Sequence, residues 1–154
     1  MILCCAFAHA QAIRREGETF DSANTEKALR TMDSKASGGA YLDILYRTDT
    51  ETESSNVTYL ISADEAGFYN LWIESTGLDN QWHSNYRVTV NGEQTIDVRK
   101  TAVYSTPDYS MPYAKKIEAG SVYLTQGTNE ITFIVDKWRS ADHYYCLYLV
   151  CYSG

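Results

Sequence analysis

The chain has 154 residues, 44% hydrophobic and 21% charged, which fits one globular domain with a single core. Its formal net charge is −7, its pI is near 4.9 and it holds no basic block, so neither a nucleic-acid backbone nor an anionic bilayer is expected as the main partner. Aromatic use leans to 13 Tyr and 3 Trp against 4 Phe; such rings with polar tips suit half-exposed surfaces, although Tyr also simply favours strands.

Residues 1–12 differ from the rest. Ile2 to Ala8 is apolar, and Ala8-His9-Ala10 and Ala10-Gln11-Ala12 both have the small-x-small form of a signal-peptidase site. The run lacks a basic n-region and is short, so it reads as a truncated signal peptide on a module spanning residues 13–154. That implies a secreted product, extracellular or periplasmic, and the run is too short for membrane insertion. Loss of the leader removes Cys4 and Cys5 and leaves Cys146 and Cys151. Their odd separation puts them on opposite faces of a regular strand, so they are expected as free thiols rather than a disulfide. No Cys/His spacing of a zinc site is present.

In chain order, Arg14 to Phe20 reads as a first strand with Glu16 and Glu18 at alternate positions on one face. Thr25 to Thr31 is expected to form a helical turn or two, capped by Asn24 or Thr25. Ser37-Gly38-Gly39 is a tight turn before a strand opening at Tyr41. Asp49 to Asn56 is an acidic, hydroxyl-rich loop. Val57, Tyr59 and Ile61 alternate with polar neighbours, and Tyr69, Leu71 and Ile73 do the same after the turn at Glu65-Ala66-Gly67. A polar loop from Thr76 to Asn85 carries Trp82. Tyr86, Val88 and Val90 precede Asn91-Gly92, the strongest hairpin signal in the chain, and Ile96 and Val98 return. Thr101 to Tyr113 is a long loop with both prolines and Tyr104, Tyr109 and Tyr113. Ile117 to Leu124 is a strand with a bulge expected at Ala119-Gly120. Ile131, Phe133 and Val135 form a half-buried strand, Asp136 to His143 a polar loop around Trp138, and Tyr144 to Tyr152 a strand apolar on both sides. Eight or more short strands with almost no helix predict an all-β fold, a β-sandwich or barrel, with jelly-roll connectivity the best single choice.

The ordered signals Glu16-x-Glu18, Ser37-Gly38-Gly39-x-Tyr41, Ala66-Gly67-Phe68-Tyr69-Asn70-Leu71, Tyr86-Arg87-Val88-Thr89-Val90-Asn91-Gly92 and Leu124-Thr125-Gln126-Gly127-Thr128-Asn129-Glu130-Ile131 resemble the β-jelly-roll carbohydrate-binding modules of the family 6, 35 and 36 type. The resemblance covers roughly Arg14 to Tyr152. It implies a galactose-binding-domain-like sandwich, non-catalytic, that tethers a secreted polysaccharide-active enzyme to its polysaccharide or oligosaccharide. In such modules an aromatic in the loop before the last strand stacks on sugar and the tyrosine after the glycine pair lines the pocket, positions that match Trp138 and Tyr41. The first-strand glutamates hold a structural calcium, which maps to Glu16 and Glu18. The aspartate that completes that site is replaced by Cys146, with Asp142 nearby as a further metal ligand.

The residues themselves support two readings at each place. Trp138 offers the C–H face of a pyranose a platform, with Arg139 and His143 to bond hydroxyls; alternatively it folds back as a plug over the sandwich end. Trp82 and Tyr109 are further ligand candidates on loops, or loop packing. Glu16 and Glu18 offer hard oxygen ligands, or are solvated acids. No zinc-protease, nucleophile-elbow or phosphate-loop motif occurs, so no catalytic residue is expected. The readings to separate are a monomeric carbohydrate-binding module, an adhesion or protein-interaction sandwich, and a small polysaccharide lyase or glycosidase.

Overall fold

The alternation seen in the sequence has a direct structural outcome. Val57, Tyr59, Ile61 and Ala63 are buried while the residues between them face outward, and Tyr69, Leu71 and Ile73 repeat the pattern on another strand. With a period of two, each strand can give only one face to a core, and two such sheets must cover each other. The structure, a computed structural model, describes residues 12–24, 28–32, 34, 38–44, 54–76, 86–98, 115–135 and 142–151.

They form β1 (Ala12–Glu16), a 3-10 turn (Gly17–Thr19), β2 (Ser22–Ala23), β3 (Ala28–Met32), β4 (Ala40–Ile44), β5 (Ser55–Ala63), β6 (Gly67–Thr76), β7 (Tyr86–Val90), β8 (Gln94–Asp97), β9 (Lys115–Leu124), β10 (Gly127–Val135) and β11 (Asp142–Cys151). One sheet has the order β3-β4-β11-β6-β9, and β1 pairs with the second half of the β11 edge whose first half pairs with β4. The other has the order β2-β5-β10-β7-β8. All these pairings are antiparallel. The fold is an all-β sandwich, its core a single cluster drawn from both sheets. Among the described residues no helix is long and apolar enough to cross a membrane.

Tyrosine serves this core directly. Tyr59 and Tyr69 are its largest fully buried side chains. The Tyr59 hydroxyl donates to the Gly17 carbonyl at 2.6 Å, and that of Tyr69 to the Glu65 carbonyl at 2.9 Å. Tyr59 also packs edge-on against Phe133 across the β5–β10 pair, with ring centroids 5.6 Å apart. Part of the tyrosine content is therefore structural.

Two expected elements differ. The first strand is β1, which stops at Glu16, so Glu16 and Glu18 do not lie on one strand face. The chain turns at Gly17–Thr19 and crosses to the other sheet, with the Thr19 hydroxyl donating to the Glu16 carbonyl at 2.8 Å. Arg15 fixes the crossing by bonding the carbonyls of Thr19 and Leu60 and the Asp21 carboxylate, which also accepts the Leu60 N–H at 2.7 Å. The helical turn expected over Thr25 to Thr31 is also corrected: Ala28–Met32 is strand β3, paired with β4 in register from Ala28↔Ile44 to Met32↔Ala40. Ala, Leu, Arg and Met favour helix in isolation, but an open β4 edge satisfies this segment's backbone groups through a ladder. Asn24, the expected helix cap, instead laces strand ends, donating to the Ser54 carbonyl at 3.0 Å and accepting the Asn56 N–H at 2.7 Å.

Other expectations hold. Asn91 and Gly92 have φ of 52° and 69°, the signs of a type I′ turn, closed by the Glu93 N–H on the Val90 carbonyl at 3.1 Å. The bulge falls at Ala119-Gly120, where the β6–β9 register slips.

The turns at one end of the sandwich are tied by Asn129, a fully buried amide on β10. Its oxygen accepts from the Asn91 side chain at 2.9 Å and from the Thr125 N–H and hydroxyl at 2.9 and 3.1 Å. Its nitrogen donates to the carbonyls of Thr125 and Gly127 at 2.8 and 3.0 Å. Asn129→Ala strands several buried partners at once and is expected to cost about 3 kcal/mol, read as a lower urea midpoint at unchanged m-value.

Candidate functional site

The register decides which strand ends share a neighbourhood. Ile44, where β4 ends, is opposite Asp142, and Thr76, where β6 ends, is opposite His143. Val135, where β10 ends, faces both Ser55 and Tyr86, the first residues of β5 and β7. Lys115, the start of β9, is opposite Ser75, and Asp97, the end of β8, is opposite Arg87. The strand ends that border residues 45–53, 77–85, 99–114 and 136–141 therefore all stand at one end of the sandwich. The Asn129 turns stand at the other, together with Ala12, opposite Val150, and Cys151, opposite Tyr69.

Trp138, Arg139, Trp82 and Tyr109 lie outside the described residues, in three of those segments. Asp142 and His143, expected in a loop, are the first two residues of β11, because the ladder to β4 and β6 reaches that far. His143 is in register between Asp43 and Thr76. Tyr41 is half-buried on β4, in register with Thr31, in the same sheet as His143 and Asp142. Ser55, at 1% exposure, has a buried hydroxyl without a hydrogen-bond partner at this same end.

Sequence reasoning missed Trp72. It alternates with buried Leu71 and Ile73 and so faces outward on β6, half-buried, in register with Tyr148 on one side and Glu118 on the other. Farther along this face Phe68, 65% exposed, packs edge-on against Tyr123 at 5.2 Å. The signal was present: in a strand whose odd-numbered residues are core, an even-numbered Trp is a surface aromatic.

The glutamates form a second feature. Glu18, in the 3-10 turn, is only 8% exposed, and its Oε2 is buried with no hydrogen-bond partner. A Cβ placed on Gly38 would collide with Glu18 Oε1 and stand 3.4 Å from Glu16 Cγ, so the Glu18 carboxylate and the stem of Glu16 lie beside Gly38. Glu16 also pairs with Arg14 at 2.7 Å, a partly exposed contact of small worth. Calcium takes six to eight oxygens. Two carboxylates fit that requirement, but the β11 position directly across from Glu16 is Cys146, a soft donor. Asp142 lies four residues farther along β11, opposite Ile44. Among the described residues no group of three His, Cys, Asp or Glu side chains is arranged for a metal.

No protein-family model matches the chain, and no curated protein does. Solved structures match over most of its length. A family 35 carbohydrate-binding module from Clostridium thermocellum superposes with a TM-score of 0.62 at 17% identity, over 91% of this chain and 98% of that one. The chain shares this module's fold. A GH26-CBM35 β-(1,4)-mannanase from Podospora anserina gives 0.61 at 18% identity, and an exo-β-1,3-galactanase from Phanerochaete chrysosporium gives 0.66 at 19%. This chain covers 28% and 30% of those two enzymes, and 93% and 92% of it is matched.

Because Gly38 leaves no room for a methyl beside Glu18, Gly38→Ala displaces the carboxylate or the turn. A loss of about 1–3 kcal/mol is expected from this overpacking, measured by thermal or denaturant unfolding of the metal-free protein.

Proposed function

We propose that the chain is a non-catalytic carbohydrate-binding module that holds a secreted polysaccharide-active enzyme on its glycan. The observation that carries this reading is the match to an isolated family 35 module over nearly the whole of both chains. The shared end of the strands that border residues 77–85 and 136–141 supports it, because it brings the anchors of the Trp82 and Trp138 segments to one place.

In this reading Trp138 and Trp82 supply apolar platforms for the C–H faces of sugar rings. Arg139 and His143, with Tyr41 and Tyr109, supply donors and acceptors for the hydroxyls around the ring equator. Such a site needs no chemistry. It works as a monomer by raising the local concentration of a tethered catalytic domain at the polymer, so weak binding suffices. The first and last described residues, Ala12 and Cys151, stand at the end away from these segments. A protein-interaction reading rests on a different place, the exposed Phe68–Tyr123 pair.

Affinity electrophoresis against a polysaccharide panel tests the proposal. Trp138→Ala is expected to weaken retention by about 2 kcal/mol or more, roughly thirtyfold in Kd, with the strand signal in circular dichroism unchanged. Trp82→Ala is expected to weaken it in the same direction, whereas Phe68→Ala leaves retention intact. Absence of retardation on every polysaccharide, with and without added divalent cations, would sink the reading.

A further inference from the structure

Of the asparagines in the chain, only Asn56 stands in an Asn-x-Thr or Asn-x-Ser triplet, Asn56-Val57-Thr58, with no proline at the middle position. Such triplets occur by chance in many chains, so what decides is how the fold treats the asparagine side chain. Asn56 is the second residue of β5 and lies between buried Ser55 and Val57, so its side chain points to the outer face of the sandwich. There it is half-buried, opposite Ile134 on β10 and beside exposed Asn24 at the end of β2.

The bonding separates the two ends of this amide. Asn56 Oδ1 accepts the Ser54 hydroxyl at 3.1 Å, while Asn24 takes the Asn56 backbone N–H at 2.7 Å and its carbonyl at 3.1 Å. Among the described residues none accepts from Asn56 Nδ2. Asn129, by contrast, uses both ends of its amide inside the fold. The third residue of the triplet is committed only late. The Thr58 hydroxyl meets that of Thr132 at 2.9 Å, across 74 residues of sequence. At about 5–20 residues per second of synthesis, the triplet waits roughly 4–15 seconds for β10 to cover it.

We infer that Asn56 is an acceptor for N-linked glycosylation, with the sugar standing on the outer face of the β2-β5-β10-β7-β8 sheet. The modification needs the secretory route that residues 1–12 suggest, and it does not depend on carbohydrate binding. In the transfer, Asn56 Nδ2 attacks the anomeric carbon of a lipid diphosphate-linked oligosaccharide. The N–C bond forms, the C–O bond to the diphosphate breaks, the lipid diphosphate leaves with the electron pair, and Nδ2 gives up one proton to the transferase. Afterwards Oδ1 still accepts from Ser54, and Thr58 still meets Thr132 when β10 docks. The first sugar ring has an apolar neighbour in half-buried Ile134, the direct partner of Asn56, with Cβ atoms about 4.5–5.5 Å apart. A bulky, solubilising group is thus added where the fold leaves an amide nitrogen facing solvent.

The test is translation of the full chain with and without microsomes, both as it stands and behind a standard cleavable signal peptide. A single upward mobility step is expected, reversed by peptide N-glycosidase, with the deamidated residue at position 56 by peptide mass spectrometry. Asn56→Gln and Thr58→Ala are expected to lose the step entirely, and Thr58→Ser to keep it. Because transfer precedes folding, a variant that folds poorly still answers. The inference is overturned if the parent shows no step behind the added leader, if the step survives Asn56→Gln or Thr58→Ala, or if another residue carries the sugar. A step seen only behind the added leader overturns the secretory reading, and with it the modification of the natural chain. Polysaccharide retention reports separately on the carbohydrate reading.

Discussion

The constraint on which the whole sandwich depends is that its last two strands lie inside its two sheets. β10 pairs with β5 on one edge and β7 on the other, and β11 pairs with β6 on one edge and with β4 and β1 on the other. Until residues 127–151 are in place, neither sheet is continuous and the core has no lid on either side. Pairs such as Ala12↔Val150 join the two extremities of the described chain, so the loop-closure entropy of nearly the full length is spent before these contacts form. Slow, cooperative folding is the physical consequence, and the C-terminal strands carry the fold rather than decorate it.

Around that centre the sheet edges are laced by side chains acting as backbone substitutes. The Gln94 amide bonds both the N–H and the carbonyl of Tyr123 at 2.7 Å, joining β8 of one sheet to β9 of the other. Arg15 with Asp21 does comparable work where the chain crosses after β1, and Asn24 where β2 ends. Each is a polar side chain bonding to main-chain groups that an edge leaves open.

Much of this was legible in the residues because a buried face writes itself into a strand with period two. Val57 to Ala63, Tyr69 to Ile73 and Ile131 to Val135 needed no further information. Asn91-Gly92 and Ala119-Gly120 announced a turn and a bulge through backbone demands that few residues meet. The errors fell where local preference and tertiary pairing disagree. Ala28–Met32 is mostly helix formers and becomes a strand on the open edge of β4, and the first strand is cut short at Gly17 by the crossing between sheets. The candidate site was legible as residue types but not as an arrangement. That the Trp82 and Trp138 segments are anchored at a common end follows from pairs such as Val135↔Tyr86 and His143↔Thr76, and register of that kind is not encoded near either residue. Likewise, nothing around Glu18 in the sequence says that it is buried without a partner, or that Cys146 stands across from Glu16.

The division between the two ends of the sandwich bears on how such a domain can change. Asn129 and the short turns it secures are remote from the strand ends that border the Trp-bearing segments, and the core lies between. If the carbohydrate reading proposed above holds, the turns that Asn129 secures and the segments that would meet a ligand belong to opposite ends, so the frame could accept replacement segments without touching the Asn129 turns. On that reading, selection for a new ligand would act on positions distant from the Asn129 network.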